Sequence, residues 1–427
     1  MSDLVYPGMP IPGRIITGTQ AAETLVGSDG NDVLIGLGGG DALASGAGAD
    51  VYQYNSTTDS TPSAYDNLYD FETGLDRIDI TRLTTSAISI LRTQDGSSVM
   101  FGETSIGSFQ LIAAGRQINA SDVSYSGDHG IYLVGAASGD TLVGGSRSDG
   151  IDGGAGNDVI IGGLGADALG GGAGFDLFRY LSPQDSNASK YDNLFDFETG
   201  VDRVSFNFTT SEVSILRTQG SSFIFGRSFA GDFQIVAAGR DVNASDLSLN
   251  HGVYMIGSSE NDVLQGSFFG DPIEGGDGDD VIIGGGGADA LFGNGGADIF
   301  RYLTTNDSTY IAPDRIFGFE TGTDLVDLSH VRRGASDRFG LAYNDGGSFL
   351  FVDIGGDGYN DMVIQFANAT VSASDIRWIQ NPTTSDISAF EEIYWSAAQR
   401  MPLTFPADSD RSIFSSDNIS EKFDLWL

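Results

Sequence analysis

Hydrophobic positions follow two different periods along the chain. In the first period, one large apolar residue recurs every nine residues within glycine-rich sequence, as in Gly153-Gly-Ala-Gly-Asn-Asp-Val-Ile-Ile and Gly284-Gly-Gly-Gly-Ala-Asp-Ala-Leu-Phe. The six leading residues predict a turn, because glycine adopts backbone conformations that other residues avoid. The last three residues predict a short strand with one side chain pointing inward. Two nonapeptides make one coil, so the period predicts stacked parallel strands.

An acidic residue at the sixth position of each nonapeptide keeps the same phase. The fourteen residues, in arrays of four, five and five, are Glu23, Asp32, Asp41, Asp50, Asp140, Asp149, Asp158, Asp167, Asp176, Asp262, Asp271, Asp280, Asp289 and Asp298. Carboxylates n and n+2 are predicted to stack on one edge of the coils, which gives eight enclosed gaps. The first array is less regular, since Glu23 replaces Asp, and Asp149 and Asp271 follow poor turns, where we expect weak sites.

The second period is an alternation of apolar and polar residues that follows each array, as in Arg77-Ile-Asp-Ile. It predicts antiparallel strands that form a sandwich and cap the stack. The segment Tyr65-Asp-Asn-Leu-Tyr-Asp-Phe-Glu-Thr-Gly returns at Tyr191 and, more loosely, at Pro313. We therefore predict an all-β chain of three tandem units, each a parallel β-roll plus a β-sandwich. The predicted boundaries are an N-terminal segment 1–13, units 14–134, 135–256 and 257–380, and a tail 381–427.

The composition narrows the possible partners. The 427 residues include 21 Lys and Arg and 59 Asp and Glu, so the formal net charge is −38. A nucleic-acid partner needs a basic surface that this chain lacks, and the same deficit disfavours anionic membranes. Cysteine is absent, which excludes disulfides and thiolate metal sites. Residues 1–13 have no cationic start and no apolar run, so we predict no Sec signal peptide, and we expect no membrane insertion.

The stacked acidic turns predict metal binding. A gap between two turns offers carboxylate and carbonyl oxygens and no softer ligand, which suits Ca²⁺ better than Zn²⁺ or Mg²⁺. The alternative is a flexible Gly/Asp-rich linker. A linker has no reason to keep Asp in phase over five nonapeptides with an apolar residue two positions later, so we favour about eight or more calcium ions.

These motifs resemble the RTX repeats and the C-terminal domain of the serralysin metalloproteases. The resemblance rests on the nonapeptides together with Phe319-Glu-Thr-Gly-Thr-Asp-Leu-Val-Asp and Phe351-Val-Asp-Ile-Gly-Gly-Asp-Gly-Tyr-Asn-Asp. It implies that carbonyls at turn positions two and four bind Ca²⁺ together with the Asp at position six. The glycines so assigned are Gly30, Gly39, Gly48, Gly154, Gly156, Gly163, Gly165, Gly172, Gly174, Gly276, Gly278, Gly285, Gly287 and Gly296. The resemblance also implies a further calcium site at Asp353, Asp357 and Asp361.

The resemblance further implies export by a type I (ABC) secretion apparatus that reads a C-terminal signal, which we assign to the tail. Ser388 and Glu391 form a capping-box pattern there and predict one short helix. Serralysin proteases need a His-Glu-x-x-His zinc helix, and none of the three histidines has that spacing. We therefore predict neither a catalytic site nor an enzyme.

Two functions remain open. The first is a secreted calcium-binding structural protein of the cell surface or extracellular matrix, such as a surface layer, filament or adhesive coat, that self-associates after secretion. The second is an extracellular carbohydrate-binding module or adhesin whose aromatic residues Phe268, Phe269, Tyr310 and Tyr359 stack on surface polysaccharide. An accessory part of a secreted enzyme ranks third.

Overall fold

The fold is that of a computed structural model, which describes residues 12–113, 116–219, 221–238, 241–331, 334, 336–344 and 346–378. The described residues of Met1–Glu212, Gly220–Val242 and Asp246–Leu249 form one compact unit. Those of Val213–Gln219, Asn243–Ser245 and Asn250–Leu427 form a second. The boundaries of three tandem domains, drawn from the repeat, stay a prediction, and the predicted C-terminal helix and secretion signal lie outside the described residues.

The first roll and its sandwich occupy residues 15–126. Their strands are β1 (Ile15–Thr17), β2 (Thr24–Ser28), β3 (Val33–Ile35), β4 (Ala42–Gly46), β5 (Val51–Gln53), β6 (Asp66–Leu68), β7 (Arg77–Arg92), β8 (Ser98–Thr104), β9 (Gly107–Ala113) and β10 (Val123–Ser126).

The second roll and its sandwich occupy residues 132–248. Their strands are β11 (Tyr132–Val134), β12 (Thr141–Val143), β13 (Gly150–Asp152), β14 (Val159–Ile161), β15 (Ala168–Gly170), β16 (Leu177–Tyr180), β17 (Asp192–Leu194), β18 (Arg203–Phe206), β19 (Thr210–Thr218), β20 (Ser221–Ser228), β21 (Gly231–Ala238) and β22 (Leu247–Ser248).

The third roll and its sandwich occupy residues 254–377. Their strands are β23 (Tyr254–Ile256), β24 (Val263–Gln265), β25 (Pro272–Asp277), β26 (Val281–Ile283), β27 (Ala290–Gly295), β28 (Ile299–Arg301), β29 (Asp314–Phe317), β30 (Leu325–Asp327), β31 (Arg338–Asn344), β32 (Gly347–Asp353), β33 (Met362–Ala367) and β34 (Ile376–Arg377).

Each roll is built from two columns of parallel strands, because a strand pairs with the strand one coil later. Val33 aligns with Val51, Val159 with Leu177 and Val281 with Ile299, and each of these pairs is two nonapeptides apart. One apolar side chain per strand fills the space between the columns. These residues are at most 9% exposed: Leu25, Leu34, Leu43, Tyr52, Leu142, Ile151, Ile160, Leu169, Phe178, Leu264, Ile273, Ile282, Leu291 and Phe300. The parallel β-roll predicted from the nine-residue period is thereby confirmed.

Antiparallel strands continue one column of each roll. β7, β8 and β9 form an antiparallel sheet in which β9 also pairs in parallel with β6. β20 and β21 repeat this arrangement with β17, and β31, β32 and β33 repeat it with β29. The only helical elements in the described part of the chain are three 3₁₀ turns, Ala120–Asp122, Ala244–Asp246 and Ala373–Asp375. None of the described helices is long enough to cross a bilayer.

The narrow core makes a testable prediction. We expect Ile282→Ala, at a side chain with no exposed surface, to lower the free energy of unfolding in calcium by about 2–5 kcal/mol, because the rigid stack cannot close the cavity. Val263→Ala, on the outward side of β24 at 54% exposure, is the control and should cost less than about 1 kcal/mol. Urea unfolding measures both, and equal losses would contradict the predicted inward row.

Candidate metal centres

The acidic residues of each roll form hydrogen-bonded columns. The backbone N–H of Asp140 donates to Oδ1 of Asp158 at 2.6 Å, that of Asp158 to Asp176 at 2.8 Å, and that of Asp176 to Asp202 at 3.0 Å. Each carboxylate is therefore held one coil above or below the next. The six columns are Glu23, Asp41 and Asp66; Asp32, Asp50 and Asp76; Asp140, Asp158, Asp176 and Asp202; Asp149, Asp167 and Asp192; Asp262, Asp280, Asp298 and Asp324; and Asp271, Asp289 and Asp314.

The second oxygen of many of these carboxylates is buried without a hydrogen-bond partner. In the nonapeptides these oxygens are Oδ2 of Asp41, Asp50, Asp158, Asp167, Asp176, Asp280, Asp289 and Asp298. They are the second members of the eight n and n+2 pairs that the sequence defines. A buried anionic oxygen without a partner is costly unless a cation or a proton neutralises it. Each of the eight n and n+2 pairs therefore includes at least one buried carboxylate oxygen without a hydrogen-bond partner.

The first coil of each roll is different. There, Oδ2 of the Asp accepts the backbone N–H of the residue four positions earlier, as Asp149 does from Gly145 at 2.6 Å and Asp271 from Ser267 at 2.6 Å. Oδ2 of Asp32, of Asp140 and of Asp262 likewise accepts the backbone N–H of the residue four positions earlier. These residues enter the columns through their backbone N–H groups, and their carboxylates offer no unpartnered oxygen. They include both positions at which the sequence predicts weak sites.

Glycine at turn positions two and four brings successive turns into close contact. Gly172 and Gly174 have φ of 86° and 146°, and a Cβ at either would collide with the carbonyl of Gly154 or Gly156 in the turn below. The backbone φ is also in the left-handed region at other glycines of the turns. These are Gly39, Gly48, Gly165, Gly278, Gly287 and Gly296 at position four, and Gly163, Gly276 and Gly285 at position two. Leu37 and Asn294 take position two with φ of 65° and 66°, whereas Gly30 has no left-handed φ. The carbonyls of one turn therefore lie against the glycines of the next, and their role as metal ligands stays a prediction.

Six further aspartates close the columns and were missed in the sequence: Asp66, Asp76, Asp192, Asp202, Asp314 and Asp324. Asp66, Asp192 and Asp314 follow the last nonapeptide Asp of their column by 25 residues, so they fall outside the nine-residue phase. The Oδ2 atoms of Asp66, Asp192 and Asp314 are also buried without a hydrogen-bond partner. The signal that could have identified them is their identical place in the long repeat, within Asp-Asn-Leu of the first two copies and Asp-Arg-Ile of the third.

One pair of these oxygens faces the same space. A Cβ placed on Gly36 would lie 2.6 Å from Oδ2 of Asp41 and 3.1 Å from Oδ2 of Asp66. Two carboxylates of successive coils thus converge above a glycine whose missing side chain leaves room for them. The buried Tyr54 ring lies beside Asp66, as Tyr180 lies beside Asp192 and Tyr302 beside Asp314.

Burial raises the pKa of the column carboxyl groups, and neighbouring carboxylates add to the increase. The pKa rises to about 6 at Asp158 and Asp298, to about 7 at Asp167 and Asp280, and to about 8 at Asp192. Backbone hydrogen bonds offset only part of this effect. Burial therefore makes free negative charge costly at these carboxyl groups and shifts them towards binding a proton or a cation.

The predicted loop at Asp353, Asp357 and Asp361 is held by its own backbone. Asp353 accepts N–H groups from Gly356, Asp357 and Gly358 at 2.9–3.2 Å, and Asp361 accepts that of Ile354 at 2.6 Å. Asp357 is exposed and accepts the N–H of Tyr359. The structure therefore forms a tight acidic turn here, and its calcium site stays a prediction.

The donors in the rolls fit calcium. No three Asp, Glu or His side chains converge on a point that could hold a metal, as far as the described residues extend. An ion in a gap would therefore be bound by one or two carboxylates and completed by turn carbonyls and water. All these donors are oxygen, their number is adjustable, and Ca²⁺ accepts six to eight oxygens in flexible geometry.

Comparison with known families identifies the chain. The model of the peptidase M10 serralysin C-terminal family matches residues 14–142, 148–273 and 270–378. The chain belongs to this family. The matches fall on three tandem serralysin C-terminal segments, and only this non-catalytic repeat domain is matched. RTX repeats of the serralysin C-terminal family generally bind Ca²⁺, its members are secreted, and its repeats are linked to type I secretion.

Two solved structures are similar to parts of this serralysin C-terminal chain. The AlgE6R3 subunit of the Azotobacter vinelandii mannuronan C5-epimerase is 23% identical, over 30% of this chain and 83% of that one, with a TM-score of 0.20. The extracellular lipase LipA of Serratia marcescens is 17% identical, over 62% of this chain and 40% of the lipase, with a TM-score of 0.17. No curated protein matches the chain.

The two kinds of acidic turn predict opposite responses to Asp→Asn substitution. In calcium, Asp280→Asn should lower the free energy of unfolding by on the order of 1–3 kcal/mol, because the unpartnered oxygen is lost. In EDTA the same change should be neutral or stabilising, because it removes a buried charge. Asp271→Asn, whose Oδ2 already accepts the Ser267 N–H, is the matched control and should have the same effect in both conditions. Urea unfolding in calcium and in EDTA measures the difference, and equal behaviour of the two variants would contradict the assignment.

The raised carboxyl pKa values predict a pH dependence that reverses with calcium. The pKa of an unfolded Asp is 3.8 and rises to about 7 at Asp167 in the ion-free roll. The ion-free fold therefore loses stability as the pH rises through this window, and its melting temperature in EDTA should fall between about pH 5 and pH 8. Saturating calcium should abolish the fall, since an ion replaces the protons. Asp192→Asn should flatten the EDTA curve, and a melting temperature in EDTA that rises with pH would overturn the prediction.

Proposed function

We propose that this chain is an exported structural protein of the cell surface or extracellular matrix whose rolls fold on calcium. The observation that supports the proposal is the set of eight buried, unpartnered Oδ2 atoms in the nonapeptides, one in each predicted gap. The proposed ligands are these aspartates with the carbonyls of turn positions two and four. Asp66, Asp192 and Asp314 are proposed to extend three columns by one further site each.

The charge balance supports a dependence on calcium and leaves charge for assembly. Eight divalent ions would add 16 positive charges and leave a formal net charge of −22. Each site held at about ten times its dissociation constant would add about 1.4 kcal/mol to the stability of the fold. The remaining acidic edges are proposed to bind further ions between molecules, which is the basis for a surface layer, filament or adhesive coat.

A carbohydrate-binding module is the second candidate, and exposed aromatic side chains favour it. Phe268 is 90% exposed, Tyr359 77%, Tyr310 57% and Phe269 40%. Aromatic rings at the surface offer flat apolar faces, and the sequence singled out the same four residues as sugar-stacking candidates. An adhesin of this kind would remain monomeric in calcium and bind polysaccharide directly.

A calcium titration of the full chain tests both candidates. In EDTA we expect a weaker β-sheet far-ultraviolet dichroism and a melting temperature lower by at least about 10 °C, because the columns repel without ions. Addition of calcium should restore both signals, whereas equal concentrations of magnesium should not. Ordered polymers in light scattering would support the structural role, and a compact monomer that binds a glycan array would support the second candidate. Dichroism and melting temperature unchanged by EDTA would refute the calcium-dependent fold.

A further inference from the structure

The first acidic residue of a column has no preceding coil to hold it. Inside a roll, Oδ1 of each Asp accepts the backbone N–H of the acidic residue one coil earlier, as Asp158 does from Asp140. Asp32, at the start of the first roll, accepts the N–H of Arg14 at 2.5 Å instead, just before β1. Asp140 and Asp262 begin columns in the second and third rolls and need another donor.

A buried arginine supplies that donor at the second roll. Nη1 of Arg92, at the end of β7, donates to Oδ1 of Asp140 at 3.2 Å, and the two side chains are 2% and 6% exposed. Nη2 of Arg92 donates to Oδ1 of Asn119 at 2.6 Å, and the same Asn119 oxygen accepts the N–H of Val143 at 3.2 Å. The guanidinium and the amide thus hold the first acidic turn and its strand together.

The third roll repeats this contact with other residues. Nη1 of Arg217 lies 3.5 Å from Oδ1 of Asp262, with side chains 2% and 12% exposed. Its Nη2 donates to Oδ1 of Asn243 at 2.5 Å, and that oxygen accepts the N–H of Gln265 at 3.1 Å. Val143 and Gln265 each lie three residues after the first Asp of their column. The same network of an arginine, an aspartate, an asparagine and a backbone N–H therefore occurs twice. We conclude that the contact is a feature of the repeat and not a chance arrangement.

The third sandwich has a different pair at the corresponding positions. Ser98 accepts the N–H of Ile118, next to Asn119, and Ser348 accepts the N–H of Val371, next to Ser372. Across the hairpin, Arg92 pairs with Ser98 and Tyr343 pairs with Ser348. Tyr343 and Ser372 therefore replace the arginine and the asparagine. Tyr343 is 50% exposed and donates its hydroxyl to the carbonyl of Val371.

We propose that Arg92 with Asn119, and Arg217 with Asn243, form sockets that recognise the first acidic turn of the roll that follows. Inside a roll, the preceding coil donates a hydrogen bond to each Asp, and a cation bound there would supply positive charge. At the first Asp of a column, the socket supplies both the hydrogen bonds and the positive charge. A first acidic turn that binds a socket is held in one register, whereas Tyr343 and Ser372, at the corresponding described positions, carry no positive charge.

Hydrogen exchange of the full chain in saturating calcium tests the socket. In Arg92→Gln we expect the amides of residues 140–143 to exchange at least about tenfold faster, because a buried carboxylate loses its partner. The amides of 33–52 in the first roll should be unchanged. Arg227→Gln, at a guanidinium with 53% exposure, is the matched control and should change neither region. No local change in Arg92→Gln, or an equal acceleration in both rolls, would overturn the proposal.

A double substitution separates recognition from general packing. If Arg92 acts through Asp140, Arg92→Gln combined with Asp140→Asn should exchange no faster at 140–143 than Arg92→Gln alone. Fully additive acceleration would show that the two side chains act separately and would overturn the socket. Should Arg92→Gln fail to fold, Arg92→Lys provides the same test, because it keeps the charge but replaces the two donor nitrogens that bond Asp140 and Asn119 with a single one. Local acceleration in Arg92→Lys supports the proposal and its absence overturns it.

Discussion

The structure depends on carboxylates that are satisfied at one oxygen only. In every column the backbone N–H of one acidic residue holds Oδ1 of the next, and this ladder fixes the spacing between coils. The same ladder buries Oδ2 in a gap where no protein donor reaches it. A fold that repeats this arrangement cannot be stable as a free polyanion, because each gap adds a desolvated charge next to another. A cation or a proton at these oxygens would relieve that cost, and calcium is the cation that the oxygen donors suit.

The remainder of the roll adapts to that constraint. Its core is only one side chain wide per strand, so apolar burial supplies less stability than in a domain with packed layers. Glycine at turn positions two and four permits the close stacking of turns, at a considerable entropic cost on folding. The sandwiches add broader cores, such as the buried cluster of Ala342, Phe349, Phe351 and Val363. The rolls and the sandwiches thus differ in how much apolar surface they bury.

The ends of the rolls differ from their middles, and this difference bears on function. First coils satisfy their own carboxylates through N–H groups four residues earlier, whereas Oδ2 of the inner coils has no partner. Buried arginines contact the first Asp of a column in the second and third rolls, while Tyr343 takes the corresponding place in the third sandwich. The family match covers the non-catalytic serralysin C-terminal segment three times.

The sequence by itself determined the period and therefore the all-β roll, because a nine-residue repeat of glycine, Asp and one apolar residue is compatible with few other folds. It also determined which aspartates stack, since residues n and n+2 must share an edge when two nonapeptides make one coil. Only the tertiary structure decided which oxygens are unpartnered. Asp149 and Asp158 occupy the same place in the repeat. Oδ2 of Asp149 accepts the N–H of Gly145, whereas Oδ2 of Asp158 has no hydrogen-bond partner. Asp66 and Arg92 also required the structure, because their contacts are made across 25 and 48 residues of chain, outside any local period.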